Sequence, residues 1–470
     1  MKTDCTLPLF DFQPLEKRRV VASFDGGTMT SDAGGLLLRE VEERCGIIRQ
    51  FSECFEDHRN PNRIEHTAEE LVGQRVYGIA LGYEDLNDHD DLRVDPLLAV
   101  LVGKKDPTGQ DRTRRREKGK ALAGKSTLNR LELTQPGRPD RYKKIEIRTE
   151  AVDAFFVDIF LQAHAKAPER IVLDLDATDD PLHGQQEGRF FNGYYKEYCY
   201  LPLYVFCGDH LLCARLRESN LDASAGSIEI LERMVERIRN VWPKVEIAVR
   251  GDAGFCREAL MSWCEANGVH YILGLAKNSR LLERIHRSMK KARKRYALTG
   301  QASRVYSHFL YRTRKTWRQK RRVIAKAEHL AKGANPRFVV TSYSPEEYDA
   351  QTLYEKEYCA RGEMENRIKE QQLYLFADRT STHEMFSNQV RLWFASVAYL
   401  LLSAFRRWGL RGTDMAKAQC HTIRLKLLKL GARIRVTVRR IVVSIATGCP
   451  YQRIFRAAYA NLQKIPLSAP

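Results

Sequence analysis

Three carboxylates stand where two strand ends and a helix face would gather them. Asp176 lies in the apolar run IVLDLDAT beginning at Ile171, Asp252 closes KVEIAVRGDAG, and Glu365 ends YCARGEME. Strand side chains alternate, so Asp174 and Asp176 share one face and either can serve as the first acid. Tyr358, Arg361 and Glu365 are spaced by three and then four, which predicts that all three project from one helix face. Carboxylates without soft ligands beside them suit Mg²⁺ or Mn²⁺. Two such ions about 3.5–4 Å apart can activate a water or a 3′-hydroxyl and stabilise the leaving oxygen of a phosphodiester. The plainer alternative is that the aspartates cap turns and the glutamate is solvated.

The elements that must position these acids are legible in the apolar pattern. IVLDLDAT reads as a strand, and YCYLPLYVFCG and LLCARLRE as two more. Ile228, Leu231, Val235 and Ile238 trace one face of a helix ending near Trp242. KVEIAVRGDAG is a fourth strand, GFCREALMSWCEANG a helix closed by Gly268, and VHYILGL a fifth strand. Three strands, a helix, a strand, a helix and a strand is the order of an RNase H-like fold. FVVTSY at 338–343 reads as a further strand, and Tyr354 to Arg407 as helical. Upstream, residues 20–103 read as mainly helical, with Thr67 and Glu70 spaced as a capping box.

Charge points to the partner. Lys and Arg total 78 against 59 Asp and Glu, a net +19. The excess is segregated: residues 277–326 carry basic side chains against Glu283 alone, and the last 70 residues carry them against Asp414 alone. Residues 104–144 are a third basic stretch, rich in Pro, Gly and Arg, and read as a loosely ordered linker. Basic segments on an otherwise acidic body suit a polyanion, because each neutralised phosphate releases counterions. Eleven cysteines without a C-x-x-C pair argue against a disulfide framework and for a reducing compartment. The opening MKTDCTLPLF, followed by EKRR without a continuous apolar stretch, does not read as a signal peptide. The apolar run from Leu392 to Phe405 is too short to cross a bilayer and reads as a buried helix.

The chain resembles bacterial insertion-sequence transposases of the DDE class. L-D-A-T at 175–178 is similar to their D-x-T signature, which places the first acid at Asp176. V-R-G-D-A-G-F at 249–255 resembles the second-acid region at Asp252. Y-C-A-R-G-E-M-E at 358–365 matches the third signature, Tyr, two residues, Arg, three residues, Glu. The long gap between Asp252 and Glu365 resembles relatives with a β-rich insertion. The resemblance implies an α/β fold: an RNase H-like mixed sheet flanked by helices, a β-rich basic insertion and a mainly helical N-terminal domain. It also implies two Mg²⁺ (or Mn²⁺) ions on Asp176, Asp252 and Glu365, with DNA as partner, both transposon ends and target duplex. A homodimer or larger assembly, with no membrane association and a bacterial cytoplasmic, nucleoid-associated location, follows from the same resemblance.

The segments are expected as an N-terminal DNA-binding domain (1–103), a basic linker (104–150) and a first part of the catalytic core (151–277). A basic insertion (278–337), a second part of the core (338–410) and a basic C-terminal segment (411–470) complete the chain. The reaction expected is cleavage at the element's ends and joining of 3′-hydroxyls to target DNA. A nuclease without strand transfer and an inactive DNA-binding repressor are the alternatives. Tyr358 and Arg361 are expected on DNA backbone, or bracing the helix. Many relatives carry a Lys after the Glu, where this chain has Gln372; Lys369 is the nearest substitute. Trp317 among Arg314 and Arg318 can stack on an unpaired base or pack in the core. Arg435 belongs to a strand, RIRVTVRR, with one basic face.

Several signals are read as decoys. GKALAGKS at 119–126 fits a phosphate-loop pattern, but TRRREK precedes it where a buried strand is required. The cluster Asp85, Asp88, His89, Asp90 and Asp91 lacks the glycine of a calcium loop and reads as turn and cap residues. His183 and Glu187 either line the site's mouth or stabilise a hairpin.

Overall fold

The computed structural model describes residues 10–137 and 140–467, so the opening residues read above for a targeting signal lie outside it. Two compact units form: Ile147–Ser396, and Met1–Glu146 together with Val397–Pro470.

The central unit is built on one mixed sheet. Its elements are α1 (Thr149–Gln162), β1 (Arg170–Ala177), β2 (Phe190–Asn192), β3 (Glu197–Tyr200), β4 (Leu203–Cys207) and β5 (His210–Arg215). Then follow α2 (Ser227–Val241), β6 (Glu246–Gly251), α3 (Glu258–Ala266), β7 (His270–Leu275) and α4 (His286–Thr299). The unit continues with β8 (Ser303–Tyr311), β9 (Arg321–Leu330), β10 (Arg337–Thr341), α5 (Gly362–Leu375) and the part of α6 (Met385–Trp408) up to Ser396. The strand order is β5-β4-β1-β6-β7-β10-β9-β8. β4 runs antiparallel to β1 and β5, while β6 is parallel to both β1 and β7. This is the RNase H-like order, extended at the β7 edge.

Alternation along β1 decides what each sheet face carries. Ile171, Leu173 and Leu175 enter a large core with Leu231, Val235 and Ile238 of α2 and Leu260 and Met261 of α3. The helix residues recur at i, i+4 and i+7, the apolar stripe of an amphipathic helix. Val172 lies on the opposite face, in a second core with Ala248, Ile272, Ile324, Val339, Leu353 and Tyr354. Period two therefore places Asp174 and Asp176 on that second face.

The basic insertion joins the same sheet. β8 and β9 pair from Ser303 opposite His329 to Tyr311 opposite Arg321, and β9 pairs with β10. Helix α4 is basic and exposed, with Ala292 its buried residue. Arg321 is buried between Glu258, at 2.6 Å, and Glu265, at 2.6 Å, which fastens β9 to α3.

In the other unit, helices Gly35–Cys45 and Ala68–Leu81 are prominent, and the capping box at Thr67 and Glu70 is formed in both directions. Residues 104–144, expected as loose, are substantially packed where described: Ala121, Leu122, Ala123, Leu128 and Leu131 are buried. Buried Glu132 there accepts from Arg75 at 2.7 Å. Charge at the surface hid these short apolar stretches. The segment matching a phosphate loop has no strand before it; Lys125 opens a helix reaching Glu132. Strand Ala432–Val436 pairs with Ile441–Ile445 and also with Met29–Thr30, so the first and last parts of the sequence share a sheet. Arg433 and Arg435 are exposed on that strand while Ala432 and Ile434 are buried. Among the described residues no helix is long and apolar enough to cross a membrane.

Candidate active site

Asp176 sits near the end of β1, and Asp252 follows directly on β6. β1 and β6 are in parallel register, Asp174 opposite Arg250 and Leu175 opposite Gly251, so the two chain positions leave the sheet side by side. Asp252 accepts the Gly254 amide at 2.8 Å, which fixes the turn leading into α3. Glu365 lies in the first turn of α5. All three carboxylates line one cavity of about 810 Å³, together with Thr178, Asp179, Arg361, Lys369 and Gln372.

Asp174 is held elsewhere. Its carboxylate takes both Nε of Arg250 at 2.5 Å and Nη2 at 2.7 Å, with both side chains nearly buried. Arg250 also donates to the Glu357 carbonyl. Asp176 has a different environment: its Oδ1 accepts the Ala177 amide at 3.1 Å and lies 3.4 Å from Arg361 Nη1. Burial pushes the Asp176 carboxyl up to about 7; Arg361 opposes this, and Asp252 and Glu365 reinforce it. Arg361 itself is half-buried and contacts Glu365 at 2.6 Å. Burial works against its charge, yet Asp176 and Glu365 outweigh that and hold its pKa above the ordinary value. One guanidinium thus links the first and third acids. Among the described residues no group of three His, Cys, Asp or Glu side chains stands gathered as a ready metal cage.

The helix carrying Glu365 is not uniform. Leu353–Tyr358 is a π-helical turn and Cys359–Arg361 a 3₁₀ turn, before α5 begins at Gly362. A 3₁₀ turn eclipses residues three apart, so Tyr358 stays in line with Arg361, and Arg361 contacts Glu365. Arg170 and Arg250 draw on Glu357, at its side chain and its carbonyl, within this irregular stretch. Tyr358 reaches toward the sheet: a Cβ on Gly274 of β7 would meet its hydroxyl at 2.6 Å and the Ala253 amide nitrogen at 2.9 Å. Gly274 permits this close approach. The position expected to hold a lysine, Gln372, donates to the Asp179 carbonyl at 3.0 Å and ties α5 to the chain beyond β1. Lys369, one turn earlier, lines the cavity and is exposed.

Trp317 is 7% exposed, edge-on to Tyr311 at 5.8 Å and beneath Arg321. That is a packing role, and stacking on a base is closed to it. An amphipathic residue in a basic run looks the same in sequence whichever way it turns. Arg314 and Arg318 in the same β8–β9 connection are exposed. Glu187 accepts the Met385 amide at 3.1 Å, so it braces the start of α6. Asn192, Tyr194 and Tyr195 also line the cavity and were not singled out from the sequence, although FNGYY carries the Asn-Gly signal of a tight turn. Arg250 was likewise passed over, though it directly precedes the Gly-Asp pair.

The model of a family described as transposase DDE domain group 1 matches residues 12–467. No curated protein matches the chain. Among solved structures, the chain is similar to a piggyBac transposase in a synaptic complex with hairpin DNA, at 12% identity. That likeness covers 94% of this chain and 87% of the other, with a TM-score of 0.41.

Proposed function

Since this chain belongs to the transposase DDE domain family, we propose that it cuts the ends of its own mobile element and joins the freed 3′-hydroxyls to target DNA. Asp176, Asp252 and Glu365 are the acids of this reading. The observation that carries it is their convergence, from two adjacent strand ends and a helix, on one cavity that also holds Arg361 and Lys369.

The donor set fits divalent metal. It is all oxygen, hard, and rich in negative charge, and the raised pKa of Asp176 registers an acid that benefits from a nearby cation. Asp176, Asp252 and Glu365 would hold two Mg²⁺ or Mn²⁺ ions. Such ions, when bound, favour deprotonation of a water or 3′-hydroxyl and stabilise the leaving oxygen. The protein's own groups do the remaining work. Asp252 stays oriented by the Gly254 amide. Arg361, whose partners are now carboxylates, is placed to exchange them for a DNA phosphate, which it can grip in a bidentate manner. Lys369 adds a mobile positive charge at the rim. Exposed Arg314, Arg318 and Arg435 contact backbone phosphates and set affinity rather than sequence choice.

Asp252→Asn tests this reading on DNA carrying the inverted repeats that flank the coding region. DNA binding kept and Mg²⁺-dependent cleavage lost supports it; binding and function both unchanged points to a repressor. A precleaved end that is hydrolysed but never joined to target DNA points to a nuclease.

A further inference from the structure

Beside the acids stands an aromatic hairpin that the chemistry above does not use. β2 and β3 pair with Phe191 opposite Tyr198 and Asn192 opposite Glu197. Their turn is held by Asn192, whose Oδ1 accepts the amides of Tyr194 at 2.9 Å and Tyr195 at 3.3 Å. The Asn192 Nδ2 donates to the Ser219 carbonyl at 2.9 Å, which anchors the turn to the body of the unit. Lys196 closes it in the left-handed region, φ 64°, with its amide on the Asn192 carbonyl at 2.8 Å.

The rigid turn fixes where the rings stand. Tyr195 is half-buried and its hydroxyl donates to the Ala177 carbonyl at 3.2 Å, one residue past Asp176. Tyr194 rests edge-on against Tyr195 at 4.9 Å and is 86% exposed. Both line the cavity that Asp176, Asp252 and Glu365 line. Behind them Phe191, 57% exposed, meets Tyr198, and the Arg189 guanidinium lies 3.7 Å from the Tyr198 ring centre. A row of exposed rings costs solubility and marks a binding surface. Arg189 and Lys196 stand here with Glu197, so the exposed rings rather than a net charge set the partner, which should be flat and apolar in face. An unpaired nucleobase has that character, whereas a paired base has both faces covered by its neighbours.

We propose that the Phe190–Tyr200 hairpin, with Tyr194 foremost, is a stacking platform for unpaired bases next to the scissile phosphate. The proposal rests on reading the adjoining acids as the phosphodiester-transfer site. It assigns to this hairpin the base contact that buried Trp317 cannot make.

The test compares a duplex ending in an unpaired fork that carries 2-aminopurine with the same duplex blunt-ended, binding and fluorescence being read in EDTA. Wild-type protein is expected to bind the fork more tightly and quench the probe. Tyr194→Ala, a change at an exposed ring, should weaken fork binding roughly tenfold, the scale of one base–aromatic stack. It should restore emission and leave blunt-duplex affinity and thermal stability unchanged, while Tyr194→Phe retains the wild-type response. Equal weakening on both DNAs, or no change on either, overturns the proposal. So does a Tyr194→Ala protein that sediments as a smaller species with fork binding intact, which would assign the rings to a second copy of the chain. The two readings fail differently. Absence of Mg²⁺-dependent cleavage by wild-type protein counts against the catalytic reading alone, because the fluorescence response needs no cleavage.

Discussion

Arg250 clamps Asp174 through two parallel hydrogen bonds, across the two central strands and two residues before Asp176. Neighbouring acids on one strand face thereby stand in different surroundings. Removing one partner leaves a buried charge unpaired. Arg250→Met or Asp174→Asn is expected to cost about 3–5 kcal/mol of stability, whereas Arg250→Met combined with Asp174→Leu should cost far less. Urea unfolding of the single and paired variants checks this; equal losses would show that the pair is not the unit.

Asp176 should make the metal-free protein pH-sensitive. Its folded pKa, about 7, stands above the ordinary 3.8. The folded state therefore holds the proton more tightly than the unfolded chain. The stability that this provides is full below pH about 4 and is lost as pH rises through about 7. Thermal melts in EDTA should show Asp176→Asn gaining on wild type between pH 5 and pH 8. A difference that stays constant across that range would refute the assignment. Mn²⁺ affinity should rise over the same interval, because the ion competes with that proton.

Arg361 competes for the same carboxylates as a cation would. Arg361→Gln is expected to tighten Mn²⁺ binding in the absence of DNA, measured by calorimetry, by severalfold. DNA affinity should weaken in the same variant. Metal affinity that is unchanged or weaker would mean that the guanidinium organises the acids rather than competing for them.

Trp317 and Arg318 are adjacent and should behave oppositely. Trp317→Ala should cost about 3–5 kcal/mol, as large core truncations do, with the folded fraction binding DNA normally. Arg318→Ala should leave stability alone, weaken binding across sequences and lower the salt-dependence slope by about 1. Melts and salt titrations separate them.

The elements around the acids were legible because they are local and strongly patterned. The run from Ile171, the stripe at Leu231, Val235 and Ile238, and the strand from Glu246 all carry their period within a few residues. Strand ends and helix spacing led to the expectation that Asp176, Asp252 and Glu365 converge, and they line one cavity; the resemblance chose Asp176 over Asp174, whose carboxylate is held by Arg250. What escaped was non-local. The pairing of β9 with β10, which places the basic insertion on the main sheet, has no sequence-local trace. Nor has the pairing of Arg433 with Met29. The contacts that Arg170 and Arg250 make to Glu357, inside the π turn before Glu365, come from more than a hundred residues away. Tyr194 escaped for the converse reason: an aromatic residue beside a turn is read as core until its exposure is seen.

The shared sheet of Met29–Thr30 and Ala432–Val436 has a consequence for biosynthesis. A ribosome delivers Met29 long before Ala432, and Ile147–Ser396, a compact unit in its own right, emerges in between. Domains generally fold as they leave the ribosome, earliest first. Here the order is inverted, since the earlier segment waits for a strand partner made much later. The nascent chain can complete its central unit while its leading part still lacks a strand partner. Truncated translation products would then carry a finished central unit beside an unfinished one.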